Sequence, residues 1–129
     1  MKTLLSIDGG GALGIGPAEF LSHAEREIGE IRSVDAYAGS SVGALLVALK
    51  ATGKTWREVR DIFIKECPKI FAKPSLLWRM NPWKPKYNNK NLKEVALKYF
   101  GRCGVESSIT GPLYMCDLEK PVFITALIS

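Results

Sequence analysis

Between Ala36 and Ala51 the chain passes from a short strand-like run, through Gly39-Ser40-Ser41-Val42-Gly43, into a segment that is apolar on every side except at Lys50. A helix without a polar face has to be buried. This one therefore belongs at the centre of whatever the chain builds. It is entered through five small or β-branched residues, which a tight strand-to-helix turn accommodates.

The flanking segments supply the layers. Thr3 to Ile7 is a short apolar run ending at Asp8-Gly9, the profile of a buried parallel strand. A glycine-rich stretch, Gly9 to Gly16, precedes Pro17, which suits the first turn of a helix. There Phe20, Leu21, Ala24 and Ile28 are expected to face inward, opposite Glu19, His23, Arg26, Glu27 and Glu30. Val34 to Ala38 reads as the second strand, and Gly53 caps the apolar helix. Thr55 and Glu58 form a capping box for a third helix with an apolar stripe of Trp56, Val59, Ile62 and Phe63, closed by Pro68. Asn91 and Glu94 open a fourth, with Leu92, Val95, Ala96 and Tyr99 inward and Gly101 past its end. Leu113 to Cys116 and Val122 to Ile128 are strand-like. The order β-α-β-α-α-α-β-β favours an open, mainly parallel α/β sheet with helices on both faces. A chain that stops in its most strand-like stretch reads as truncated at its C-terminal side.

Two constellations carry chemistry. In Asp8-Gly9-Gly10-Gly11-Ala12-Leu13-Gly14 the glycines let amide N–H groups converge on an anion with no Cβ in the way, and the following helix adds its positive end. The spacing Gly9-x-Gly11-x-x-Gly14 also fits a dinucleotide loop, with Asp35 about twenty residues on. A ribose-binding acid, however, belongs at the end of a strand, and Asp35 stands near the start of one. The second constellation, centred on Ser41, is the G-x-S-x-G nucleophile elbow, in which the serine is held strained with its Oγ exposed. Gly39 and Gly43 allow the close strand–helix packing that this needs. Gly53-Lys54-Thr55 does not complete a phosphate-binding kinase loop, because Ala48 stands where the leading glycine belongs.

The pair of motifs, about thirty residues apart and each at a strand-to-helix junction, resembles the patatin-like phospholipases. The likeness is close from Leu4 to Gly53 and weaker beyond, with Tyr87 to Gly101 similar to a later helix of the family. It implies that residues 1–129 are the N-terminal portion of one patatin-like domain. By that resemblance Ser41 is the nucleophile, and Gly9, Gly10 and Gly11 line the oxyanion hole, supported by Asp8, Gly14, Gly39 and Gly43. Fatty acyl esters of lipids would be the substrates, without metal or organic cofactor. Leu13 departs from the arginine common at that place, which should alter packing or headgroup preference rather than the hole itself.

A Ser-His-Asp triad would have to use His23, the sole histidine, which the pattern places on the charged face of the first helix. The family instead pairs its serine directly with an aspartate in an Asp-Gly turn. Only Asp8 precedes a glycine, within the oxyanion loop, while Asp35, Asp61 and Asp117 do not match. The base is therefore expected beyond Ser129, leaving this chain inactive alone. Two other readings stay open: a nucleotide-binding domain using the Gly9–Gly14 loop, and a catalytically dead remnant.

The segment around Trp78, Arg79, Trp83, Lys84 and Lys86 mixes indoles with cations, which fits an interfacial lid on anionic lipid or a proline-rich loop packed on the sheet. Nucleic acid is not the expected partner, and the net charge of +5 does not require one. The longest uncharged run, Ala36 to Leu49, falls short of the ~20 residues of a spanning helix. Cys67, Cys103 and Cys116, an odd set without C-x-x-C spacing, read as reduced thiols of a cytoplasmic protein, one that could sit peripherally at membranes.

Overall fold

In a computed structural model, described over residues 2–29, 34–72, 89–100 and 118–125, the short apolar runs become three parallel strands. β1 (Leu4–Ile7), β2 (Ala36–Ser40) and β3 (Val122–Thr125) lie in that order, with β2 in the middle. Ile7, Gly39 and Ile124 fall in line across the sheet. The second strand thus runs two residues further into the glycine motif than the apolar pattern suggests. Its start is fixed from outside the sheet, where the Asp35 carboxylate accepts the Thr3 N–H at 2.7 Å.

The apolar segment forms α2 (Val42–Ala51), which crosses all three strands. Leu46, Val47 and Leu49 keep no exposed surface at all. Each such side chain contributes about 1.5–3 kcal/mol, so this helix is the largest single source of core burial. At its end Gly53, with φ 86°, donates its N–H to Lys50 at 3.1 Å, the glycine stop expected there. Trp56 packs edge-on against Tyr37, with ring centroids 6.3 Å apart at 82°.

The first helix, α1 (Ile15–Ile28), turns a different face inward from the one its apolar residues mark. Ala18, Leu21 and Ser22 are buried, whereas Phe20 and Ile28 are about three-quarters exposed. The rotation follows from Glu25, whose carboxylate accepts Lys50 Nζ at 2.9 Å and the Trp56 N–H at 2.6 Å. A hydrogen-bonded, nearly buried ion pair outweighs the exposure of Phe20 and Ile28.

The capping box forms as expected, with Glu58 N–H to Thr55 Oγ1 at 3.2 Å and Thr55 N–H to Glu58 Oε2 at 2.8 Å. The helix it opens, α3 (Trp56–Ile70), does not stop at Pro68 but carries it in its last turn. There a proline forfeits one backbone hydrogen bond near a terminus where bonds are already lacking.

The chain divides into two compact units, Met1–Lys65 with Tyr114–Ser129, and Glu66–Leu113. In the second unit α4 (Asn89–Phe100) starts two residues before the expected point. Asn91 does not cap it; its side-chain amide donates to the Lys69 carbonyl at 2.7 Å. That bond turns Val95 inward and leaves Leu92 41% exposed. Here too Glu66, 1% exposed, accepts Lys98 Nζ at 2.5 Å and the Tyr99 hydroxyl at 2.8 Å, and lies 3.2 Å from Lys69 Nζ. The Lys98 hydrogen bond, ahead of opposing desolvation, holds the Glu66 carboxyl down at about 2. Leu113 to Cys116, Asp117 and the Trp78–Lys86 segment lie outside the described residues.

Candidate active site

Ser41 occupies the turn from β2 into α2 with φ 52° and ψ −123°. Among the described residues no other non-glycine residue has positive φ. These angles are those of the first central position of a type II′ turn, which glycine dominates. Holding a serine there costs on the order of 1–3 kcal/mol. Its carbonyl accepts the Ala44 N–H at 3.1 Å, but its hydroxyl makes no capping bond to α2. The residue is exposed, so the strain presents a free Oγ at the positive end of a buried helix.

At four of the glycines a Cβ would have no room. A Cβ on Gly43 would fall onto the Ile7 carbonyl, and one on Gly39 would sit 2.5 Å from the Gly43 carbonyl carbon. One on Gly9 would come within 2.7 Å of Ser41 Cβ, and one on Gly14 would strike Val42 Cγ1. The first glycine loop and the serine turn are therefore interlocked. Gly9, Gly10 and Ser41 are all exposed on this junction, while Gly11 takes φ 58° and opens a 3-10 turn (Gly11–Gly14) that runs directly into α1. The turn is closed by Leu13 N–H to Gly10 carbonyl at 3.1 Å.

Beside the loop lies a recess of about 500 Å³, walled mainly by Ile7, Leu13, Pro17, Phe20 and Leu21. Leu13 and Phe20 are 79% and 70% exposed. Phe20, expected in the core from its apolar spacing, instead forms an exposed wall of this recess. The spacing Leu13, Pro17, Phe20 continues one helical face back into the glycine loop, and that was the available signal.

Other candidates are used elsewhere. His23 is exposed, with Arg26 Nη2 at 2.9 Å from its Nδ1. Asp61 pairs with Arg60 at 2.7 Å. Asp35 is held below the usual carboxylate range chiefly by its bond from the Thr3 amide, and it tethers a strand start rather than meeting the glycine loop. No group of three or more metal-ligating side chains occurs among the described residues, and none of their helices is long and apolar enough to cross a membrane.

A parallel sheet entered by two interlocked glycine turns, one carrying a strained and exposed serine, is an α/β architecture suited to acyl transfer. The family profile described as Patatin-like phospholipase matches residues 5–126. Among curated relatives, Patatin-like protein 1 of Arabidopsis thaliana is 30% identical over 85% of the chain and 32% of its own length. Patatin-T5 of Solanum tuberosum is 31% identical over 97% of the chain and 36% of its length. Patatin-like protein 2 of Oryza sativa subsp. japonica is 32% identical over 95% and 36%. No solved structure gives a significant match. The chain belongs to the patatin-like phospholipase family and spans about a third of the length of these relatives.

Proposed function

We propose that the chain supplies the nucleophile and oxyanion hole of a serine acyl hydrolase acting on fatty acyl esters of phospholipids or related lipids. The observation that carries this is the strained, exposed Ser41 abutting Gly9. Ser41 Oγ attacks the ester carbonyl and gives its proton to a carboxylate. The tetrahedral oxyanion is held by the amides of Gly9, Gly10 and Gly11. The ester C–O bond breaks, the alcohol leaves with the proton, and water then releases the fatty acid from Ser41. The recess of Leu13, Pro17 and Phe20 is where the acyl chain lies. Residues 1–129 form the N-terminal portion of one domain, and the aspartate base lies beyond Ser129.

Two measurements test this. A fluorophosphonate probe applied to the product of the whole reading frame should label Ser41 and not its Ser41→Ala variant. Labelling that survives the substitution refutes the assignment, and absence of labelling in the unaltered protein favours a dead remnant. The 129-residue chain alone should show no ester hydrolysis above background. Hydrolysis that disappears with Ser41→Ala would place the base within these residues instead.

A further inference from the structure

At the opposite end of α2 from Ser41, about 15 Å away along the helix axis at 1.5 Å per residue, lies a second cavity of about 510 Å³, between α1 and the start of α3. Five cations line it (Arg26, Lys50, Lys54, Arg57 and Arg60) against two carboxylates, Glu19 and Glu25. We infer that this cleft is a binding site for a phosphate-bearing anion, separate from the serine centre.

The partner of each charge around the cleft can be traced residue by residue. Glu25 is committed to Lys50 and the Trp56 amide, both partners of that ion pair being almost buried. Glu19 reaches Arg60 at 3.5 Å, and Arg60 also holds Asp61, so this group of three carries one net negative charge and leaves Arg60 fully committed. Arg26 is shared between Glu27 and His23. Glu58, just outside, is folded back on the Thr55 cap, from where its charge still acts on Lys54 without an ion pair. Lys54 remains, half-buried, with its Nζ on the neutral Thr52 hydroxyl at 3.0 Å. Arg57 remains as well, exposed and with no ion pair or hydrogen bond among the described residues. The Thr55 and Trp56 amides at this helix end are already taken by Glu58 and Glu25, so the site rests on side chains.

Two cations that make no ion pair among the described residues, beside a cavity of this volume, fit a tetrahedral phosphate group. A guanidinium offers a planar pair of donors to two phosphate oxygens, and an ammonium adds a point charge. The same chemistry could come from free phosphate or from a phosphomonoester lipid headgroup. Lys54 and Arg57 read both alike.

The test uses the full chain, inorganic pyrophosphate by isothermal titration calorimetry, and co-sedimentation with phosphatidylcholine vesicles with and without phosphatidic acid. The variant Lys54→Glu/Arg57→Glu is compared with Lys65→Glu/Lys93→Glu, an equal change in net charge at exposed sites that do not line the cleft. Losing two charge-assisted contacts should weaken binding by about tenfold or more. The control pair should stay within about twofold, the scale of screened surface charges. Pyrophosphate binding identifies a free anion as sufficient; binding only to phosphatidic acid vesicles identifies a headgroup. Either supports the site if the cleft pair alone removes it. Absence of saturable binding in both arms, or equal weakening by the two pairs, overturns it. Should the glutamate pair fail to fold by circular dichroism, Lys54→Gln/Arg57→Gln carries the same comparison. Fluorophosphonate labelling of Ser41 should be unaffected, so this result and the hydrolase reading fail independently.

Discussion

Replacing Ser41 by glycine should make the protein more stable while abolishing its reactivity. The angles φ 52° and ψ −123° are unfavourable for any residue bearing a Cβ and accessible to glycine. Relief of strain is worth about 1–3 kcal/mol, and glycine's added freedom in the unfolded chain takes back about 0.5–1 kcal/mol. The net expectation is about 1 kcal/mol of stabilisation, or roughly 3–5 °C in Tm for a chain of this size. Ser41→Ala keeps the Cβ and therefore the strain, and its hydroxyl made no capping bond to lose, so it should lie within about 0.5 kcal/mol of the parent. Urea and thermal unfolding of the three proteins decide the matter. If the glycine variant is no more stable than the alanine variant, the serine is not held under strain, and the principal support for its role as nucleophile is removed.

Other expectations follow from the same geometry. Gly43→Ala should cost about 1–3 kcal/mol in unfolding measurements, because its methyl group meets the Ile7 carbonyl and no side chain can yield. Glu66 has its carboxyl lowered from 4.5 to about 2 in the fold, so its contribution is complete above pH 4.5 and is lost as the pH falls towards 2. Glu66→Gln should remove about 1–3 kcal/mol at neutral pH, and it should flatten the acid limb of the stability profile. An acid limb unchanged in the variant would show that the Lys98 and Tyr99 bonds do not hold the carboxylate. From the sequence alone, Trp78→Ala/Trp83→Ala should reduce co-sedimentation with anionic vesicles, and unchanged binding would dispose of the interfacial reading.

How far the sequence could be read depended on whether neighbours in the chain or neighbours in space set each feature. The capping box at Thr55 and Glu58, the glycine stop at Gly53 and the all-round burial of α2 are local, and their patterns announced them. The inward face of α1 was not local. It depends on Glu25 meeting Lys50 and Trp56, residues 25 and 31 places away, so its apolar periodicity pointed to the wrong side. Pro68 likewise read as a stop because the pattern shows the missing N–H but not that the helix was about to end anyway. At the candidate site both motifs were visible as spacings. Their contact through Gly9 and Ser41 follows only from the parallel pairing of β1 with β2, which sets the two turns side by side. The basic cleft assembles residues from α1, the end of α2 and the start of α3, and no single stretch of sequence contains it.

The interlock of the glycine turns also bears on which losses a second change could repair. Gly39 and Gly43 are pressed against main-chain atoms, which every residue possesses, so no substitution at the facing position can make room. Gly14 faces a side-chain methyl of Val42, and its next neighbours stand at ordinary contact distance. A damaging Gly14→Ala should therefore be rescued by Val42→Ala, whereas Gly39→Ala and Gly43→Ala should yield no such suppressor. Within one motif pair, the same residue type is thus reparable at one position and irreplaceable at two others.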